Sequence, residues 1–238
     1  MLIVILLMGF TFLVDACFGF GAGLVAVPFL SLVMHPRDAV FLMLVFQCLK
    51  SVLLIPVWRH INWNILKLMP PGILIGAFLG TKILDMVDAD MLRLFLAVYL
   101  IIFVASDYLK LAVHRPVNGY VGSMFAGLSG GIISGITGMG GPALVTYLRS
   151  AGLNKESFRA TVMLALTIVN YFRLSLDFEE IIRSPALLEY LGPCLLVFAV
   201  AAFFGSRLPK FLSEKTFKTC INLILLVSAV MLLCRNFL

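Results

Sequence analysis

The chain has 238 residues, 62% of them hydrophobic and 13% charged, with a mean hydropathy of +1.09 and a formal net charge of +6. A soluble domain carries about 25% charged residues, so the balance excludes an ordinary water-soluble globule and points to a chain embedded in lipid. The basic excess is dispersed over short loops rather than clustered. That argues against nucleic-acid binding and suits either cytoplasmic loops or a path for an anion.

Apolar stretches fall at about 2–34, 39–57, 65–87, 91–113, 118–149, 160–176, 186–206 and 216–234. Most reach the roughly 18 residues that a spanning helix needs, and they run continuously, without the alternation of a membrane barrel. The expected fold is therefore all-α: a polytopic membrane protein of about eight apolar helical segments. Met1 to Phe10 has no basic n-region and no small-residue cleavage site, so it reads as a retained span rather than a signal peptide. Cys17, Cys48, Cys194, Cys220 and Cys234 all lie in apolar segments and form no CxxC pair, which suits packing residues.

The first and fifth stretches exceed 30 residues, longer than a ~30 Å hydrocarbon core requires. Each contains helix breakers. The first holds Gly19, Gly21, Gly23 and Pro28; the fifth holds Gly138, Gly140, Gly141 and Pro142 just after Thr137. Glycine and proline both weaken a helix interior, so both stretches are expected to be broken. At membrane depth a break leaves backbone groups that only protein or a water-filled cavity can satisfy. A helix restarting after Gly23 or at Pro142 would point free N–H groups and the positive end of its dipole into such a cavity, which suits an anion. Close helix packing through small residues, as in Gly127-x-x-x-Gly131, is the plainer reading.

The two halves match beyond the glycines. At an offset of 125, Gly80 falls on Gly205, Lys82 on Arg207 and Arg93 on Lys218. At an offset of 123, Gln47 falls on Asn170 and Lys50 on Arg173, and the spacing of three puts each amide and cation on one helix face. The chain thus reads as two homologous four-segment repeats, 1–115 and 116–238, with Gly/Pro-broken first segments, together forming one transmembrane domain. If the broken segments cross the membrane the copies run parallel; if they are re-entrant the copies are inverted. The distribution of loop Lys and Arg slightly favours inversion and places both termini outside.

An ionisable residue inside a span is costly and by default functional. Lys50 lies deep in its segment, while Arg173 is nearer its segment's end, from where it could reach the interface. Asp15 fits three roles: an ion-coupling carboxylate, a partner for Lys50, or a helix cap. Gln47, Asn170, Thr137 and Ser134 can donate hydrogen bonds to an oxyanion or to a neighbouring helix. The expected substrate-binding set is therefore Gly19, Gly21, Gly23, Pro28, Gln47, Lys50, Thr137, Gly138, Gly140, Gly141, Pro142, Asn170 and Arg173.

Catalysis is not expected. Gly127-Leu128-Ser129-Gly130 has the form of an intramembrane serine-protease motif, but His35, His60 and His114 all precede Ser129 and sit in or beside loops. No metal-ligand cluster, phosphate-binding loop or dinucleotide fingerprint appears, so no cofactor or metal is expected.

The motifs Gly19-x-Gly21-x-Gly23-x-x-x-Val27-Pro28-x-Leu30 and Thr137-Gly138-x-Gly140-Gly141-Pro142, with Gly76-x-x-x-Gly80 and Gly205 each followed by a cation, resemble the sulfite exporter TauE/SafE family of membrane permeases. Ala22 departs from the family, which often has a further glycine there. The resemblance covers nearly the whole chain and implies transport of sulfite or small organosulfur anions without ATP. The expectation is a secondary transporter for a small anion in the cell membrane, working by alternating access around two broken helices. Its partners would be that anion and the lipid bilayer, with homo-oligomerisation left open. A passive anion channel and a non-transporting membrane scaffold are the alternatives.

Overall fold

The computed structural model describes residues 2–18, 22–108, 119–205 and 214–237, and among these there are helices and connections but no strand. The helices are α1 (Leu2–Phe18), α2 (Ala22–Val33), α3 (Pro36–Leu49), α4 (Trp63–Leu66), α5 (Pro70–Met86) and α6 (Ala89–Tyr108). They continue as α7 (Tyr120–Thr137), α8 (Gly141–Ser150), α9 (Lys155–Leu176), α10 (Phe178–Arg183), α11 (Pro185–Gly205) and α12 (Glu214–Phe237). A 3-10 run, Lys50–His60, joins α3 to α4. All-helical structure is what lipid demands of such a chain, because each helix satisfies its own backbone. The 18-residue windows Ala89–Ser106 in α6 and Tyr120–Thr137 in α7 are long and apolar enough to cross a membrane. At ~1.5 Å per residue either one approaches a ~30 Å core.

The long stretch at 118–149 is two helices, α7 and α8, parted at residues 138–140. The stretch at 2–34 is likewise two helices, α1 and α2, and Gly19 and Gly21 lie outside the described residues, as does Arg207. Because α2 starts at Ala22, Gly23 sits in its first turn. Pro28 lies buried inside that helix rather than at the break. One further difference from the sequence expectation concerns 39–57, read as a single α-helix. The backbone tightens at Lys50 into 3-10 geometry for eleven residues, an unusual length for such a run. Pro56 within it has no N–H to return to the carbonyl four residues back.

Two compact units form, and each draws on both halves of the sequence. One comprises Met1–Met43, Asp88–Tyr108 and Glu179–Leu238; the other comprises Leu44–Val87 and Leu109–Phe178. In the first, α1 packs on α11, α6 on α12, and α2 on α1, α12 and α6. Arg37 at the start of α3 pairs with Glu180 at 2.9 Å, and Ser184 Oγ donates to Asp38 Oδ1 at 2.7 Å, tying that end of α3 to α10 and the residue after it.

In the second unit the dominant contact is between α5 and α7, and α9 lies against α5, α7, α8 and the 3-10 run. The α5–α7 contact is made by glycine. Gly72, Gly76 and Gly80 on α5 and Gly127, Gly131 and Gly135 on α7 recur every four residues, so each set forms one stripe. A Cβ on Gly127 would meet the Met69 carbonyl oxygen at 2.5 Å, and one on Gly131 would meet that of Ile73 at 2.5 Å. Backbone lies against backbone, the form of association that lipid favours. The Gly127–Gly131 pair is therefore a packing device, as the plainer sequence reading has it.

Candidate functional site

The site assembles in the second unit, from the break between α7 and α8. The last turn of α7 closes when Gly138 N–H donates to the Ser134 carbonyl at 2.8 Å. Gly138 stands at φ +72°, the left-handed conformation that ends helices and suits glycine. Thr137 Oγ1 donates to the Ile133 carbonyl at 2.6 Å and accepts from Met139 N–H at 3.1 Å. Its hydroxyl proton is committed to the backbone, so Thr137 braces the turn. Gln47 Nε2, from the last turn of α3, donates to the Gly138 carbonyl at 3.2 Å. Gln47 thereby holds in place the carbonyl that the break exposes.

Beyond the turn, Gly140 presses against α7. A Cβ there would lie 2.5 Å from Ser134 Cβ and 2.7 Å from the Gly130 carbonyl oxygen. Gly141 is different. It is buried, yet among the described residues a Cβ on it would meet nothing within 4 Å. Pro142 sits in the first turn of α8, where its missing N–H leaves no bond unmade. No side chain caps this N-terminus, and its leading N–H groups have no helical acceptor.

Helix α9, which packs against α7 and α8, carries a buried charge. Asn154 caps its start, its Oδ1 accepting from Ser157 N–H at 2.8 Å. Further along, Asn170 is 3% exposed and Arg173 0% exposed. Among the described residues Arg173 Nε, Nη1 and Nη2 have no hydrogen-bond partner though buried, and neither has Asn170 Oδ1. The carboxylate of Asp177 stands beside the guanidinium, with Oδ2 at 3.7 Å from Nη2, beyond hydrogen-bonding range. Tyr171, next to Asn170 on α9, shares a 2.9 Å hydrogen bond with Ser51 and donates to the Cys48 carbonyl at 3.4 Å. The consecutive residues Gln47 and Cys48 therefore reach the helix break and α9 respectively.

Sequence expectation and geometry part company over the two cations. Lys50, expected deep in a span, is half-buried at the first residue of the 3-10 run. Arg173, expected within reach of the interface, is wholly enclosed. The charged group beside Arg173 is the Asp177 carboxylate. Asp177 is missing from the residues expected at the site, although its spacing of four from Arg173 puts both on one face of α9. It follows the apolar segment and opens an acidic run with Glu179 and Glu180, which reads as solvated loop.

In the other unit, Asp15 of α1 has its carboxylate at the start of α2. It is 6% exposed, and its Oδ1 accepts from Ala22 N–H at 3.3 Å, at the first residue of α2. A carboxylate near the positive end of a helix is favourable.

Residues 2–232 match the family model described as "Sulfite exporter TauE/SafE". The chain belongs to that family. As a TauE/SafE-family member it is a membrane protein, which its long apolar helices fit. One curated relative is the "Probable sulfite/organosulfonate exporter TauE" of Cupriavidus necator, 24% identical over 161 residues. The match covers 66% of this chain and 63% of that relative, so the chain spans somewhat less than two thirds of its length. No solved structure matches. Within this TauE/SafE-family chain, the second-half motif Thr137-Gly138-x-Gly140-Gly141-Pro142 forms the turn between α7 and α8.

Proposed function

We propose that this chain is a secondary permease for a small anion, a sulfur oxyanion such as sulfite or an organosulfonate, in the cell membrane. The observation that carries the reading is Arg173: a guanidinium with no exposure and, among the described residues, no hydrogen bond to its three nitrogens. A buried polar group without a hydrogen-bond partner is rare enough to require an explanation, and an oxyanion that accepts from the guanidinium's donors supplies one. An ionisable side chain at membrane depth is a functional feature by default. The start of α8, uncapped among the described residues and with none of them within 4 Å of a Cβ on the buried Gly141, adds a second favourable surface for negative charge in the same unit.

The packing supports an origin in two repeats. The first helix of the first repeat, α1, lies on the third long helix of the second, α11; α7, the first helix of the second repeat, lies on α5, the counterpart of α11. The last helices of the two repeats, α6 and α12, pack together. Movement of matched elements about a fixed site is the usual way such duplicated permeases alternate access.

Sulfite flux into proteoliposomes tests the function. Wild-type protein is expected to move sulfite, and Arg173→Gln to reduce flux by about a hundredfold, the ~2.7 kcal/mol scale of a lost charged contact. Lys50→Ala is expected to reduce it less. Unchanged flux in a folded Arg173→Gln protein would overturn the proposal.

A further inference from the structure

The surroundings of Arg173 also bear on the charge of the anion. Its N–H donors form a planar fork that suits two oxygens of one oxyanion. One turn along α9 the buried Asp177 carboxylate lies 3.7 Å away, near enough for attraction but without a hydrogen bond to the guanidinium. Arg173 and Asp177 together are neutral before any anion arrives. The donors remain available, while the positive charge is already balanced.

Building on the reading as an anion permease, we infer that this site takes singly charged oxyanions, hydrogensulfite or a sulfonate, in preference to doubly charged ones such as sulfate, and that Asp177 sets the preference. A monoanion on the fork leaves the cluster with one surplus negative charge; a dianion leaves two. The cost of holding charge in a low-dielectric interior rises with its square, so the second charge is the expensive one. Removing the charge of Asp177 lets a dianion bind with the surplus that a monoanion has in the wild type. Asp177 is thus a specificity residue that acts through field rather than contact, and Arg173 is the residue that touches the anion.

The experiment compares methanesulfonate, a monoanion across the working pH range, with sulfate, a dianion, by calorimetry on the purified full chain in detergent at equal ionic strength. Wild-type protein is expected to bind methanesulfonate about tenfold or more tightly than sulfate. In Asp177→Asn the ratio is expected to fall to about threefold or less, with sulfate gaining most. Equal affinities in the wild type overturn the inference, and that comparison needs no variant to fold. An Asp177→Asn protein with native helix content and the wild-type ratio overturns the role of Asp177. Failure of both anions to bind the wild type overturns the underlying permease reading instead, whereas methanesulfonate binding with no detectable sulfate binding agrees with the inference.

Discussion

Gly80 and Gly135 meet with no side chain between them: a Cβ on Gly135 would lie 2.6 Å from the Gly80 Cα and 2.7 Å from its carbonyl carbon. This is one end of the stripe that joins α5 to α7. Contact between backbones is rigid, since neither helix has a rotamer with which to yield. The helix that carries the break at 138–140 is therefore held along its length by α5, and the break is presented at a fixed place.

Enlarging the stripe should separate the helices. Gly131→Leu is expected to abolish the folded state, and Gly127→Ala to destabilise it by about 2 kcal/mol, the scale of overpacking against neighbours that cannot move. Ser129→Ala, on the exposed side of the same helix, should stay within about 0.5 kcal/mol of wild type. Thermal unfolding in detergent measures all three. Equal melting temperatures for Gly127→Ala and Ser129→Ala would contradict the close approach.

The turn after α7 makes a prediction of conformation rather than space. Gly138 holds φ +72°, which costs an ordinary residue roughly 1–2 kcal/mol. Gly138→Val should lower stability most, Gly138→Ala by about 1–2 kcal/mol, and Gly138→Asn least, because asparagine tolerates left-handed backbone. Melting temperatures in that order are the expected result. A distorted turn also misplaces the carbonyl that Gln47 holds, so anion binding should fall in the same order.

Asp15 separates a cap from an ion carrier. If its carboxylate serves α2 through the Ala22 N–H, Asp15→Ala should cost about 1 kcal/mol of stability, the usual value of a lost N-cap. Asp15→Asn retains an acceptor oxygen and should recover most of it. Flux through Asp15→Asn in proteoliposomes is expected near wild type. A collapse of flux with stability intact would show instead that Asp15 carries a proton.

Much of the fold is legible in the order of residues alone. Continuous apolar segments with few charges require helices in lipid, because no other open structure satisfies the backbone there. The breaker cluster Gly138, Gly140, Gly141 and Pro142 marks its own turn, since local chemistry is enough to end one helix and begin another. The motifs that carry the family resemblance are equally a property of sequence alone. What sequence could not supply is which face of each helix is enclosed, because burial is decided by neighbours distant in the chain. Helical spacing places Gln47 with Lys50 and Asn170 with Arg173 in the same way, yet the first pair is half-buried and the second enclosed. The difference arises because the backbone tightens to 3-10 geometry at Lys50, while α9 continues past Arg173 to Leu176 against α5, α7 and α8. Tertiary packing alone made Arg173 the enclosed cation, buried Asp177 with it, and fitted the glycines of α5 to those of α7.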